Sequence, residues 1–215
     1  MIKEFDLDAP SLKKWARHSF RNETRSTTAL YERMFARFPT RRGIWKLLIE
    51  VVPTITRTDV LDLLGALTVQ IQGNPERLLE LPSSEKPVLA LEWLESGIRI
   101  IAQTEKWPLE SFDEAAAKVK AAKFINKWQW KGRRWNPSKT IFCDVDVEHT
   151  PENAKIIASF RRSDGKSVSS ELLVETTPDE FAFVPCLGKV KWFDDTHFGL
   201  ISKDGTKTWT ARVQT

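Results

Sequence analysis

Between Glu114 and Asp144 the chain has no acidic residue, and eight cations stand there: Lys118, Lys120, Lys123, Lys127, Lys131, Arg133, Arg134 and Lys139. Trp128, Trp130 and Trp135 are set among them. Lysine and arginine neutralise phosphates, tryptophan stacks on unpaired bases, and the planar guanidinium of arginine stacks as well. This is the composition of a contact surface for single-stranded or structured RNA or DNA. Lys123, Lys127, Trp128, Trp130, Lys131, Arg133, Arg134 and Trp135 are its candidate residues. The same residues also have a structural reading, in which the tryptophans join two halves of the chain and the cations face water or pair with acids. Trp128 and Trp130, two apart, share one face if the segment is extended.

A second group follows at once. Asp144, Asp146 and Glu148 lie two apart, on one side of a strand, and His149 comes next. Carboxylates and an imidazole in that pattern can hold a divalent metal, and a metal beside a basic groove suggests a nuclease. Strands that face water carry acids at alternate positions routinely, which is the stronger reading, so no metal site is assigned. His18, His149 and His197 are the only histidines. There is no Gly-x-Ser-x-Gly elbow and no Walker loop, and Cys143 and Cys186 are not spaced for zinc. The expectation is a chain without enzymatic activity and without a cofactor.

What must position these residues is read from composition and pattern. Of the 215 residues, 41% are hydrophobic, enough for a real core, and the formal charge is only +4. The charge is segregated. Residues 1–46 carry eleven Lys/Arg, Arg41 and Arg42 among them, against five acids, whereas the stretch from about Asp59 to Glu114 is acidic. Segregated positive charge favours polyanions: nucleic acid, an acidic protein face or an anionic membrane surface. The two cysteines sit in apolar, strand-like surroundings, as buried thiols of a reducing compartment do. Two strands bringing them together would still allow one bridge. The N-terminus does not read as a signal peptide, and no apolar run approaches the roughly 18 residues of a membrane span. A cytoplasmic chain with no membrane partner is expected.

The pattern predicts an α+β fold in three parts: a helical domain over 1–126, a basic Trp-rich junction over 127–139, and an antiparallel β domain, meander or small barrel, over 140–215. In the helical part, Asp8-Ala9-Pro10-Ser11 starts a helix with Leu12, Trp15, Ala16 and Phe20 on one stripe. A second helix carries Leu30, Tyr31, Met34, Phe35 and Phe38 and ends at Pro39. Ile44 to Val52 is read as helix, although its β-branched end leaves strand open. Thr58-Asp59 opens another helix, with Val60, Leu61, Leu64 and Leu67 inward and Gly73 as its stop. A short piece between Asn74 and Pro82, a longer helix from Pro87, and a helix opened by the capping box Ser111 to Glu114 complete this part. From Lys139 the period changes to two. About seven short strands follow, among them Ile141 to Glu148, Ile156 to Arg162, Val168 to Glu175 and Phe181 to Cys186.

Gly188-Lys189-Val190-Lys191-Trp192-Phe193 resembles the opening strand of cold-shock domains, small OB-fold proteins that bind single-stranded RNA and DNA. The likeness runs on through Phe198-Gly199-Leu200-Ile201 and Asp204-Gly205, about 26 residues in all. It implies a barrel, stacking of bases on Trp192 and Phe198, and a basic residue on the same nucleic-acid-binding surface at Lys191. Leu200 stands where the family has an aromatic and His197 where it has glycine. A complete barrel would draw strands from residues 140–186. Two functions are therefore expected. The first is a non-enzymatic nucleic-acid-binding protein that takes RNA or single-stranded DNA. The alternative is a protein-interaction module with an acidic protein partner, such as a bacterial toxin-neutralising protein of the immunity type or a complex subunit.

Overall fold

The computed structural model describes residues 1–40 and 43–214. Arg41 and Arg42, counted above among the N-terminal cations, lie outside the described residues. The architecture is mixed α and β, and the chain divides into two compact units, Met1–Asn126 and Lys127–Thr215.

The first unit is not all helical. It holds β1 (Glu4–Asp8), α1 (Lys14–Met34), β2 (Lys46–Val52), β3 (Leu61–Leu63), β4 (Ala66–Gln72), α2 (Pro75–Glu80), α3 (Lys86–Glu105) and α4 (Glu110–Ala121). The strands form one sheet in the order β1-β2-β4-β3, with β1, β2 and β4 parallel and β3 antiparallel to β4. The segment from Ile44 to Val52, read as helix, therefore holds a strand, Lys46–Val52. Leu47, Ile49 and Val51 alternate into the core, and the intervening residues are half-buried, so both faces are shielded. A strand shielded on both faces reads as a nearly continuous apolar run, which periodicity cannot tell from a helix. The helix expected from Thr58 is likewise two strands. Val60, Leu61, Leu64 and Leu67 have helical spacing, but Leu64 and Gly65 take φ of 56° and 88°, which no helix accommodates. The two helices expected between Asp8 and Pro39 are one continuous helix, α1, and Asp8 ends a strand instead of capping. Ser111 lies inside α4, after Leu109 at the cap position, and makes no capping bond.

Phe5, Leu7, Leu47, Ile49, Val51, Leu67, Val69 and Ile71 form the apolar side of the sheet, packed in one cluster with residues of α1, α3 and α4. Burying side chains of this kind is worth about 2 kcal/mol each before entropy is counted. Helix α3 comes close to β2 at Gly97, where a side-chain carbon would run into Ile49. Helix α1 also closes the outer edge of the sheet. The Phe5 amide donates to the Glu32 carboxylate (2.9 Å), and Arg25 holds that carboxylate (2.8 Å). Asp8, 2% exposed at its side chain, takes forked bonds from Arg17 and Arg21 at 2.5–2.8 Å. Burial pushes the Asp8 carboxyl up, but the two guanidiniums outweigh it and hold the group well below the usual carboxylate range.

The second unit is all but helix-free. Strands β5 (Lys127–Trp135), β6 (Ile141–His149), β7 (Ala154–Arg162) and β8 (Ser167–Thr176) form an antiparallel meander. A helical turn, α5 (Glu180–Phe183), and a 3-10 turn over Val184–Cys186 occupy the segment read as a strand from Phe181. Then β9 (Lys189–Trp192), β10 (His197–Ile201) and β11 (Thr208–Arg212) make a second, three-stranded meander. Its Phe198, Leu200 and Ala211 share one core with Cys143, Val145, Val147, Ile156 and Phe160 of the first meander. Among the described residues the two sheets are not hydrogen-bonded into a closed barrel.

Candidate functional site

The basic stretch is divided between the units. Lys118 pairs with Glu114 (2.8 Å) and Lys120 with both oxygens of Glu95 (3.0 Å), and Lys123, exposed after α4, also belongs to the first unit. The junction expected over 127–139 is largely the edge strand β5 of the second unit. Two register shifts in β5, around Trp130 and Arg133, turn side chains out of simple alternation.

On β5 most of the candidate contacts already have partners. Lys127 pairs with Glu148 (2.7 Å). Trp128 and Trp130 pack against the core of the unit, and the Lys131 ammonium lies 5.0 Å from the Trp130 ring centre. The Arg133 guanidinium lies over the Phe142 ring (4.7 Å), and Trp135, 38% exposed, meets that ring edge-on (5.1 Å). The Trp192 indole donates to the Arg134 carbonyl (2.8 Å) and its ring packs on Phe160 and Phe198. Phe198 is 0% exposed, so it has no face on which a base could stack. Lys191 lies over Phe193 (5.6 Å). Of the eight cations in the stretch, the side chains of Lys123, Arg134 and Lys139 have neither an ion pair nor a ring partner among the described residues.

The acidic row is also in use. Asp144 accepts from the Arg133 amide (2.6 Å) and faces Arg161 (3.6 Å), Asp146 accepts from Ser159 (3.2 Å), and Glu148 holds Lys127. His149 is buried, with Nε2 2.8 Å from the Pro178 carbonyl and its ring against Phe183. Among the described residues no three His, Cys, Asp or Glu side chains are grouped to hold a metal. Cys143 and Cys186 are not bonded to each other. Burial pushes the Cys143 thiol up, away from the thiolate that nucleophilic chemistry needs.

Sequence patterning misses a different place. The β3–β4 hairpin has a two-residue turn, Leu64-Gly65, with positive φ at both positions, the primed geometry that matches strand twist. Gly65 suits it twice over, because a side-chain carbon there would lie 2.8 Å from the Trp45 ring. The Trp45 indole buttresses the turn by donating to the Leu64 carbonyl (3.2 Å), and the Asp62 carboxylate accepts from the Gly65 amide (2.8 Å). Leu64 has no such reason to be leucine. Asparagine, aspartate or glycine is the usual first residue of this turn, and a leucine held left-handed costs about 1 kcal/mol. Its side chain is 99% exposed, with Leu63 at 56% and Trp45 at 42%. The signal available in sequence was the run Asp62-Leu63-Leu64-Gly65-Ala66, a turn glycine between two short apolar segments.

No described helix is long and apolar enough to cross a membrane. Comparison with family models, with curated protein sequences and with solved structures finds no match.

Proposed function

We propose that this chain is a non-enzymatic protein-interaction module, such as a bacterial toxin-neutralising protein of the immunity type or a complex subunit. One observation carries the reading: Leu64 is fully exposed in a backbone conformation that disfavours leucine. A strained, exposed apolar residue with no role in folding is a mark of a binding element. Leu63 and the amphipathic Trp45 beside it supply further apolar contact surface.

Charge supports the same choice. Residues 127–215 hold fourteen Lys/Arg against twelve Asp/Glu, and residues 1–126 hold nineteen against seventeen. Neither unit is a strongly basic domain of the sort that wraps nucleic acid. The nucleic-acid reading keeps Lys123, Arg134, Lys139 and the half-exposed Trp135 as its contacts.

The test is a pull-down from the native host with nuclease treatment, using the wild type, L63S/L64D and R133E/R134E. A protein retained after nuclease by the wild type and by R133E/R134E, and lost from L63S/L64D at unchanged circular dichroism, is the expected result. Retention of nuclease-sensitive material alone, or of no protein, overturns the reading. So does retention that depends on Arg133 and Arg134 but not on Leu63 and Leu64.

A further inference from the structure

We infer that the partner supplies an extended strand, apolar-basic-apolar in sequence, which adds to the first unit's sheet along β3. The inference rests on the protein-interaction reading. It starts from a contrast between sheet edges. At β1 the outward Phe5 amide is taken by Glu32, and the Phe5 carbonyl accepts from Arg25 (3.4 Å). At β5 the Arg134 carbonyl is taken by Trp192. Between β8 and β11, Glu171 takes the Arg212 amide (2.8 Å) and Ser169 the Gln214 amide (3.3 Å). Side chains thus guard these edges, as natural sheets require.

The β3 edge has no such guard among the described residues. It pairs with β4 alone, and only its length of three residues and Asp62, whose carboxylate also accepts from the Gly65 amide, limit what can add to it. In a two-residue hairpin the residues flanking the turn, Leu63 and Ala66, exchange both backbone bonds. Alternation then turns the N–H and C=O of Asp62 away from β4, where an added strand would bond them. Leu61 and Leu63 fall on one face of such a strand and Asp62 on the other.

The occupant's chemistry follows. Residues opposite Leu61 and Leu63 are apolar, and the one opposite Asp62 is lysine or arginine. A second copy of this chain is disfavoured, because antiparallel self-pairing about Asp62 sets two Asp62 carboxylates against each other. The short strand and its acid together admit one kind of strand and reject self-association.

The experiment has two arms. The first is hydrogen exchange on the complex retained in the pull-down. The Asp62 amide should slow by at least about tenfold relative to the free chain. A retained partner that leaves this amide unprotected overturns the strand reading while the protein-interaction reading stands. The second arm needs no partner. Capped heptapeptides alternating valine with lysine, or valine with glutamate, are titrated while the Asp62 amide is followed by NMR. The wild type should prefer the lysine peptide by about tenfold, and D62K should reverse the preference. Equal response to both peptides, no response, or a preference unchanged in D62K overturns the inference.

Discussion

Strand β5 and the β3–β4 hairpin are opposites. Strand β5 displays tryptophan and arginine in sequence, and the fold uses them: Trp128 and Trp130 against the core, Arg133 on Phe142, Lys127 on Glu148. The hairpin displays in sequence only a turn glycine between two short apolar segments, and the fold leaves Leu63 and Leu64 in water. Composition says what side chains can do, whereas exposure and partners say what remains for them to do. A binding surface is better recognised by a residue with no structural reason for its identity than by a concentration of residues that bind well elsewhere.

The sharpest way to break this comparison is to remove a residue from the side said to be structural. Phe198→Ala takes a fully buried ring from the core of the second unit and should cost about 4 kcal/mol, read as a fall in the urea midpoint. A loss below about 1 kcal/mol would return Phe198 to the surface role that the cold-shock resemblance implies.

The guarded edge of the first sheet offers the next effect. Asp8→Asn keeps the shape but leaves Arg17 and Arg21 without their shared countercharge. Both arginines are partly solvated, so the cost is about 2 kcal/mol, below that of a fully buried pair. The sign of its pH dependence follows from the depressed carboxyl. Stability from Asp8 is fully present above the unfolded value of about 3.9 and is lost as pH falls through the lower folded value. The gap between wild type and D8N should therefore narrow below about pH 4 in chemical denaturation. A gap that stays constant into acid would show that the carboxylate charge is not what Arg17 and Arg21 answer.

At the hairpin the predicted sign reverses. Leu64→Asn places the preferred residue at the first position of the turn, so the chain should gain about 0.5–1 kcal/mol in thermal or urea unfolding. The same substitution should weaken the partner complex. Stability and binding moving in opposite directions at one residue is what a binding element predicts. A variant that loses stability would mean that Leu64 packs in a way its exposure does not suggest.

Much of the fold is legible in the sequence, and the strands missed in the first unit share one cause. The β-branched alternation of β6 and β7, the caps around α2 and the apolar stripe of α3 signal themselves locally. Strands β2 and β4 do not, because Leu47, Leu48 and Ile49, or Leu67, Thr68 and Val69, are shielded on both sides and lose the period-two signature. Strand β1 fails for a related reason. Its acids Asp6 and Asp8 look solvent-facing until Lys46, Arg17 and Arg21, 9 to 40 residues away, are placed beside them. The candidate surface was illegible on the same grounds. Nothing local tells that Arg133 is stacked while Leu64 is bare, since both facts depend on what the rest of the chain brings alongside.

The smallest effect tests the claim that the charges of β5 are in use. Lys127 and Glu148 face each other across β5 and β6 in direct register, with a single contact at 2.7 Å. Both side chains are partly solvated, so a double-mutant cycle of K127A and E148A should give a coupling of about 0.5 kcal/mol. Added salt should reduce it, because an exposed pair is screened within about 10 Å at 0.1 M. A measurable, salt-sensitive coupling means that a polyanion binding at Lys127 must first displace Glu148, which makes this position a poor phosphate contact. Zero coupling would mean that Lys127 stands free and would move weight back to β5 as a binding strand.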